Sequence, residues 1–148
     1  MYKRILVPLD GSPRAERILP HVEELALACS STVILLRVVD PVHVMLSSGS
    51  SRADASYAEL EKRTKKAKAY LEEQKEALED KGIKTEIRVE HGTTVDSIIQ
   101  IGAEEDVKLI AIASHGYGGL ARVFYGSVAA GLLQRVDRPI MIVRARRD

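Results

Sequence analysis

Apolar residues along this chain fall into short continuous runs, separated by longer stretches in which they recur every three or four positions. Five runs read as strands: Ile5 to Leu9, Thr32 to Val39, Ile83 to Val89, Val107 to Ala113 and Ile140 to Val143. Thr32 to Val39 is nearly all apolar, as expected of a strand covered on both faces. Ile83 to Val89 alternates and reads as more exposed. Between the runs the period lengthens. Ser12 and Pro13 give a cap and a first-turn proline, and Ile18, Val22, Leu25 and Cys29 follow as one helical stripe. Pro20 lies inside that stripe and removes a backbone donor, which predicts a kink. A long helix is expected from about Ala55 to Lys81, with Leu60, Ala67, Leu71 and Leu78 inward and Gly82 as its stop. Its other faces are charged, and Glu59–Arg63 and Glu61–Lys65 have the favourable acid-before-base spacing. Gly92-Thr93 opens a further helix carrying Val95, Ile98, Ile99 and Gly102, and Val128, Leu132 and Val136 mark the last one. Asp40-Pro41 closes the second strand. Pro41 to Ser56, with five serines and Gly49, reads as a long loop, either mobile or a lid over a site.

Strands alternating with helices imply an α/β fold: a parallel sheet, right-handed crossovers and helices on both faces. The 148 residues fit one domain, residues 1–148, large enough to bury roughly 70% of the extended surface. A net charge of +1 gives no global field toward nucleic acid or membrane. Cys29 is alone, which fits a reducing compartment. No run reaches transmembrane length, and the N-terminus lacks a signal peptide's apolar region and cleavage site, so a cytoplasmic protein is expected. The histidines at 21, 43, 91 and 115 have no metal-ligand spacing.

The stretch with candidate chemistry runs from Ile112 to Ser127. A buried strand empties into Gly116, Gly118, Gly119 and Gly126, and a helix follows. Glycines let a backbone approach an anion, and free N–H groups at a helix start point at negative charge. Ser127 can cap the helix or bond a phosphate oxygen. The same residues also suit a plain glycine-rich connection. In parallel sheets ligands bind beyond the carboxyl ends of strands, where the order reverses. Asp10 sits at such an end. Its carboxylate can accept from a ribose or a base amine, or organise the turn before Ser12-Pro13. His115 and Arg122 have bland readings as a packing residue and an exposed arginine. No Walker A lysine lies between Lys108 and the C-terminus, and Asp10-Gly11-Ser12-Pro13 lacks a dinucleotide glycine fingerprint. A phosphorylated receiver domain would need a second acid beside Asp10, where Leu9 and Gly11 stand.

The opening Tyr-Lys-Arg-Ile-Leu-Val-Pro-Leu-Asp-Gly-Ser and the closing Arg-Pro-Ile-Met-Ile-Val-Arg resemble the universal stress protein family. So does the order of elements between them. The family's nucleotide motif is Gly, two residues, Gly, nine residues, then Gly-Ser or Gly-Thr. Gly116 fills the second glycine, nine residues follow from Tyr117 to Tyr125, and Gly126-Ser127 completes it, while the first position is Ala113. The resemblance is to the ATP-binding branch. It implies a single Rossmann-like domain of the adenine nucleotide alpha hydrolase-like type, with sheet order 3-2-1-4-5. It further implies ATP, with Mg²⁺, as ligand: Pro8, Leu9, Asp10 and Val39 around adenine and ribose, Ile112, Ala113, His115 and Gly116 along the same cleft, and Gly126, Ser127 and Val128 at the phosphates. No residue takes an evident catalytic role, so slow or absent hydrolysis is expected. The family implies a homodimer through the last strand and a stress-response signalling role with some protein partner. The alternative is a dimeric adaptor of the same fold that binds no nucleotide.

Overall fold

The computed structural model describes residues 1–47, 53–115 and 126–145. Five strands, β1 (Arg4–Pro8), β2 (Thr32–Val39), β3 (Lys84–His91), β4 (Leu109–His115) and β5 (Ile140–Ala145), form one sheet of order β3-β2-β1-β4-β5. Every neighbouring pair is parallel. The expected order and class are therefore met, and the reversal falls between β1 and β4. The helices are α1 (Pro13–Glu16), α2 (Leu19–Cys29), α3 (Pro41–Ser47), α4 (Ala53–Glu79), α5 (Thr94–Glu104) and α6 (Gly126–Arg135).

The period-two geometry of strands explains the continuous apolar runs. Ile5, Val7, Val33, Leu35, Leu109 and Ala111 face one core, shared with Ile18 and Val22 of the first helical segment and with Leu71 and Leu78 of α4. Leu6, Ile34, Leu36, Ile110 and Ile112 face a second core with Ile98 and Ile101 of α5 and Leu132 of α6. The central strands carry continuous apolar runs because both of their faces are covered.

Three expectations are corrected. The helix after Ser12 is not kinked at Pro20 but broken at Arg17–Ile18. Pro20 lies in the first turn of α2, where its missing N–H costs nothing because that amide would have no intrahelical partner. The stretch from Pro41 is not all loop. Asp40 accepts from the amides of Val42 (2.9 Å) and His43 (3.4 Å), and Pro41 opens α3. Residues 48–52 lie outside the described residues. The last helix starts at Gly126, two positions early, which places Ser127 within the first turn instead of at the cap.

Ion pairs hold one side of the sheet. Arg4 reaches Glu105 at 2.6 Å and Glu86 at 3.2 Å, and Arg88 reaches the same Glu105 at 2.6 Å and Glu90 at 2.7 Å. Hydrogen bonds and charges from Glu86 and Glu105 hold the Arg4 guanidinium above its ordinary range despite partial burial. The network ties β1 and β3 to the end of α5.

Candidate functional site

The carboxyl end of β1 is organised by its own turn. Leu9 extends the ladder by donating to Leu36 O at 2.8 Å, and Gly11 then takes φ +85° to turn the chain. Ser12 caps α1 by accepting from the Ala15 amide at 3.2 Å. Asp10 accepts at Oδ1 from the Ser12 amide (2.9 Å) and hydroxyl, and at Oδ2 from Arg14 Nη2 at 3.2 Å. Asp10 thus organises the turn, as one of its two sequence readings holds. Each carboxylate oxygen carries two lone-pair sites, so capacity for a ligand donor remains.

Partial burial pushes the Asp10 carboxyl up. The Ser12 hydrogen bonds and the charges of Arg14 and Arg37 outweigh it, and the net position is below the usual carboxylate range. With the folded value below the unfolded one, Asp10 contributes stability that is complete above about pH 4 and is lost as the pH falls through the folded value. Urea melts should therefore show wild type more stable than Asp10→Asn at pH 7, with the gap narrowing as the pH falls below about 4. A gap that does not narrow would disprove the assignment.

Opposite this turn, Gly126 enters α6 at φ +73°, a conformation that a side chain resists. The amides of Gly126, Ser127 and Val128 belong to the first turn of a ten-residue helix, whose leading N–H groups have no intrahelical acceptor. No acidic side chain occupies that turn.

Between the two ends lies a cleft of about 310 Å³ that Pro8, Leu9, Asp10, Ile112, Ala113, Gly126, Ser127 and Val128 line together. Eight of the eleven nominated residues thus meet at the strand-order reversal. Val39 does not line this cleft. It is buried and borders a second cleft of about 630 Å³, which shares Asp10, Arg37 and Val38 with the first. The His115 backbone ends β4, whereas its side chain and Gly116 lie outside the described residues. Ala113 pairs with Val143 in the ladder, and its methyl packs toward the first core while bordering the cleft.

Two charged residues that the sequence did not nominate also line the smaller cleft, Arg14 and Arg37. Arg37 was hidden inside a strand. Its signal is that it is the only charged residue between Thr32 and Val39.

The model of the universal stress protein family matches residues 1–144. The chain belongs to this family. Universal stress protein MJ0577 of Methanocaldococcus jannaschii is 32% identical, with 99% of this chain and 97% of that protein covered. Its solved structure superposes with a TM-score of 0.85 at 30% identity, covering 100% of this chain and 99% of the other. Universal stress protein YxiE of Bacillus subtilis is 28% identical over 97% of this chain and its own full length. A universal stress protein from Archaeoglobus fulgidus, solved in complex with dAMP, shares the fold at TM-score 0.59 and 22% identity, covering 95% of this chain and 97% of that one. The family fold therefore extends across the chain.

Proposed function

We propose that this family member is a one-domain, ATP-binding, stress-response signalling module with slow or no hydrolysis. The observation that carries the reading is the convergence of Asp10, Ala113 and the Gly126–Val128 amides on one cleft at the strand-order reversal. A fold of this family solved with dAMP is consistent with an adenine nucleotide as the ligand class.

The residues present suit that ligand. The first-turn amides of α6 and the helix dipole attract phosphate, each well-placed anion gaining roughly 0.3–1 kcal/mol. Gly126 at φ +73° keeps that approach open. Asp10 can accept from a ribose hydroxyl, and Ile112 and Leu9 offer apolar surface to the nucleoside. The loop carries no lysine for the phosphates, and Mg²⁺ would be carried by them.

One observation favours the adaptor reading instead. The Ala113 methyl stands at the motif's first glycine and borders the cleft. Calorimetry with millimolar ATP and Mg²⁺ separates the two. Ala113→Gly should bind as well as or better than wild type, and Ser127→Ala should lose about 1 kcal/mol, one hydrogen bond. If neither wild type nor Ala113→Gly takes up ATP, the adaptor reading replaces this one. Mass spectrometry of protein purified and then denatured offers a second check, since a released adenine nucleotide would be found directly.

Self-association through β5 belongs to the same proposal. The sheet's other edge, β3, carries Lys84, Glu86, Arg88 and Glu90, charges of the kind that discourage edge pairing. β5 reads Ile-Met-Ile-Val before its first charge and has no such protection. Two-fold symmetry would pair it antiparallel with a second copy. No helix among the described residues is long and apolar enough to cross a membrane, which accords with a cytoplasmic setting.

A further inference from the structure

The larger cleft has a charge imbalance that the nucleotide reading leaves unused. It lies between α3, α4 and the carboxyl ends of β1 and β2. Its three carboxylates are engaged. Asp10 holds Ser12 and Arg14, Asp40 caps α3, and Glu59 accepts from Arg63 Nε at 3.1 Å. Three of its cations make no ion pair among the described residues. Arg37 makes one long bond to Val38 O at 3.4 Å, and among the described residues neither Lys62 nor Lys66 makes an ion pair or hydrogen bond. Lys62 and Lys66 are four residues apart on α4, so two like charges stand one above the other on a single face. That arrangement is locally unfavourable, and elsewhere on α4 the same spacing pairs acid with base, at Glu59–Arg63 and Glu61–Lys65. The Tyr70 hydroxyl, on the next turn and bordering the same cleft, is buried beside the Glu16 carboxylate.

We propose that this outer cleft takes a second phosphate group of the bound nucleotide, attached to the ribose on the side away from the 5′ phosphates. The inference rests on the nucleotide reading and deepens it. The two clefts meet at Asp10 and Arg37, where the ribose is placed. A 5′ phosphate runs from there to the α6 amides. A 3′ phosphate runs the other way, past Arg37 toward Lys66 and Lys62. Charge-assisted bonds from a guanidinium and two ammonium groups match a dianionic phosphate and leave the engaged carboxylates undisturbed. The ligand class is an adenine nucleotide phosphorylated at both the 5′ and 3′ positions.

The test compares AMP with adenosine 3′,5′-bisphosphate by calorimetry on the intact protein at low salt. The bisphosphate should bind wild type about tenfold more tightly, a difference of ~1.4 kcal/mol. The Lys62→Gln/Lys66→Gln protein should bind AMP as wild type does and lose most of that advantage. Arg37→Gln should lose it as well. Circular dichroism melts confirm that the variants are folded, which is expected because both lysines are exposed. Equal affinity for the two ligands overturns this inference and leaves the nucleotide reading standing. An advantage that survives the lysine substitutions also overturns it, because the second phosphate then lies elsewhere. If no adenine nucleotide binds at all, both readings fall together.

Discussion

Titrated with ATP and Mg²⁺, the Gly126→Val protein is expected to release no heat of binding while its sheet stays folded. Two effects combine at this position. A β-branched side chain at φ +73° is strained by roughly 1–3 kcal/mol, so the first turn of α6 must rotate and its amides no longer converge. The valine methyls would also stand where a phosphate oxygen has to approach the backbone. Together these should cost at least about 3 kcal/mol of affinity, more than a hundredfold. The same substitution lies at the rim of the fold, outside both buried cores, so the melting temperature should fall by only about 5 °C. Wild-type affinity in this variant would mean that the α6 start is not the phosphate site.

The second large effect concerns assembly. Ile110 N donates to Pro139 O across the β4–β5 ladder, which fixes the alternation along β5. By the period of two, Pro139, Met141 and Val143 turn their backbone groups toward β4, whereas Ile140 and Ile142 turn theirs to the open edge. Ile142→Pro therefore removes an outward amide and none of the β4 bonds, as prolines at sheet edges do. Sedimentation at micromolar concentration should show a dimer for wild type and a monomer for this variant. A lysine at the same position would be a poorer probe, because the Ile142 side chain packs against the second core. A wild type that sediments as a monomer would defeat the proposed interface outright.

Much of the architecture could be read from the chain because both faces of the sheet are covered. Val33 to Leu36 is fully buried, as a short run of β-formers in a strand covered on both faces should be. The acid-before-base pairs of α4 appear as expected, Glu59 to Arg63 at 3.1 Å and Glu61 to Lys65 at 3.8 Å. α3 was hidden because a seven-residue helix that buries only Val44 has no stripe to detect. Yet Asp40-Pro41 carries the same cap-and-proline signal as Ser12-Pro13, and its reading as a strand end obscured it. The clustering of Pro8 to Asp10 with Ala113 and Gly126 to Val128 followed from the strand order that the family resemblance implied. Lys62 and Lys66 were out of reach, and Arg37 stood out only as a lone charge in an apolar strand. Their significance lies in which neighbours lack an opposite charge, and that is a property of three dimensions. On the linear chain Lys62 and Lys66 belong to a charged helix face and Arg37 to a strand.

The sheet separates two hydrophobic layers that share no side chains, and the small cleft is where both reach the same rim. Leu9 and Ala113 belong to one layer, and Ile112 and Val128 to the other. A molecule seated there acts as a clasp across the sheet, since neither helical layer can peel away without first letting go of it. Ligand occupancy then becomes resistance of the whole chain to proteases, growing with the logarithm of ligand concentration above its dissociation constant. On the proposed function, protease resistance would then track the concentration of the nucleotide.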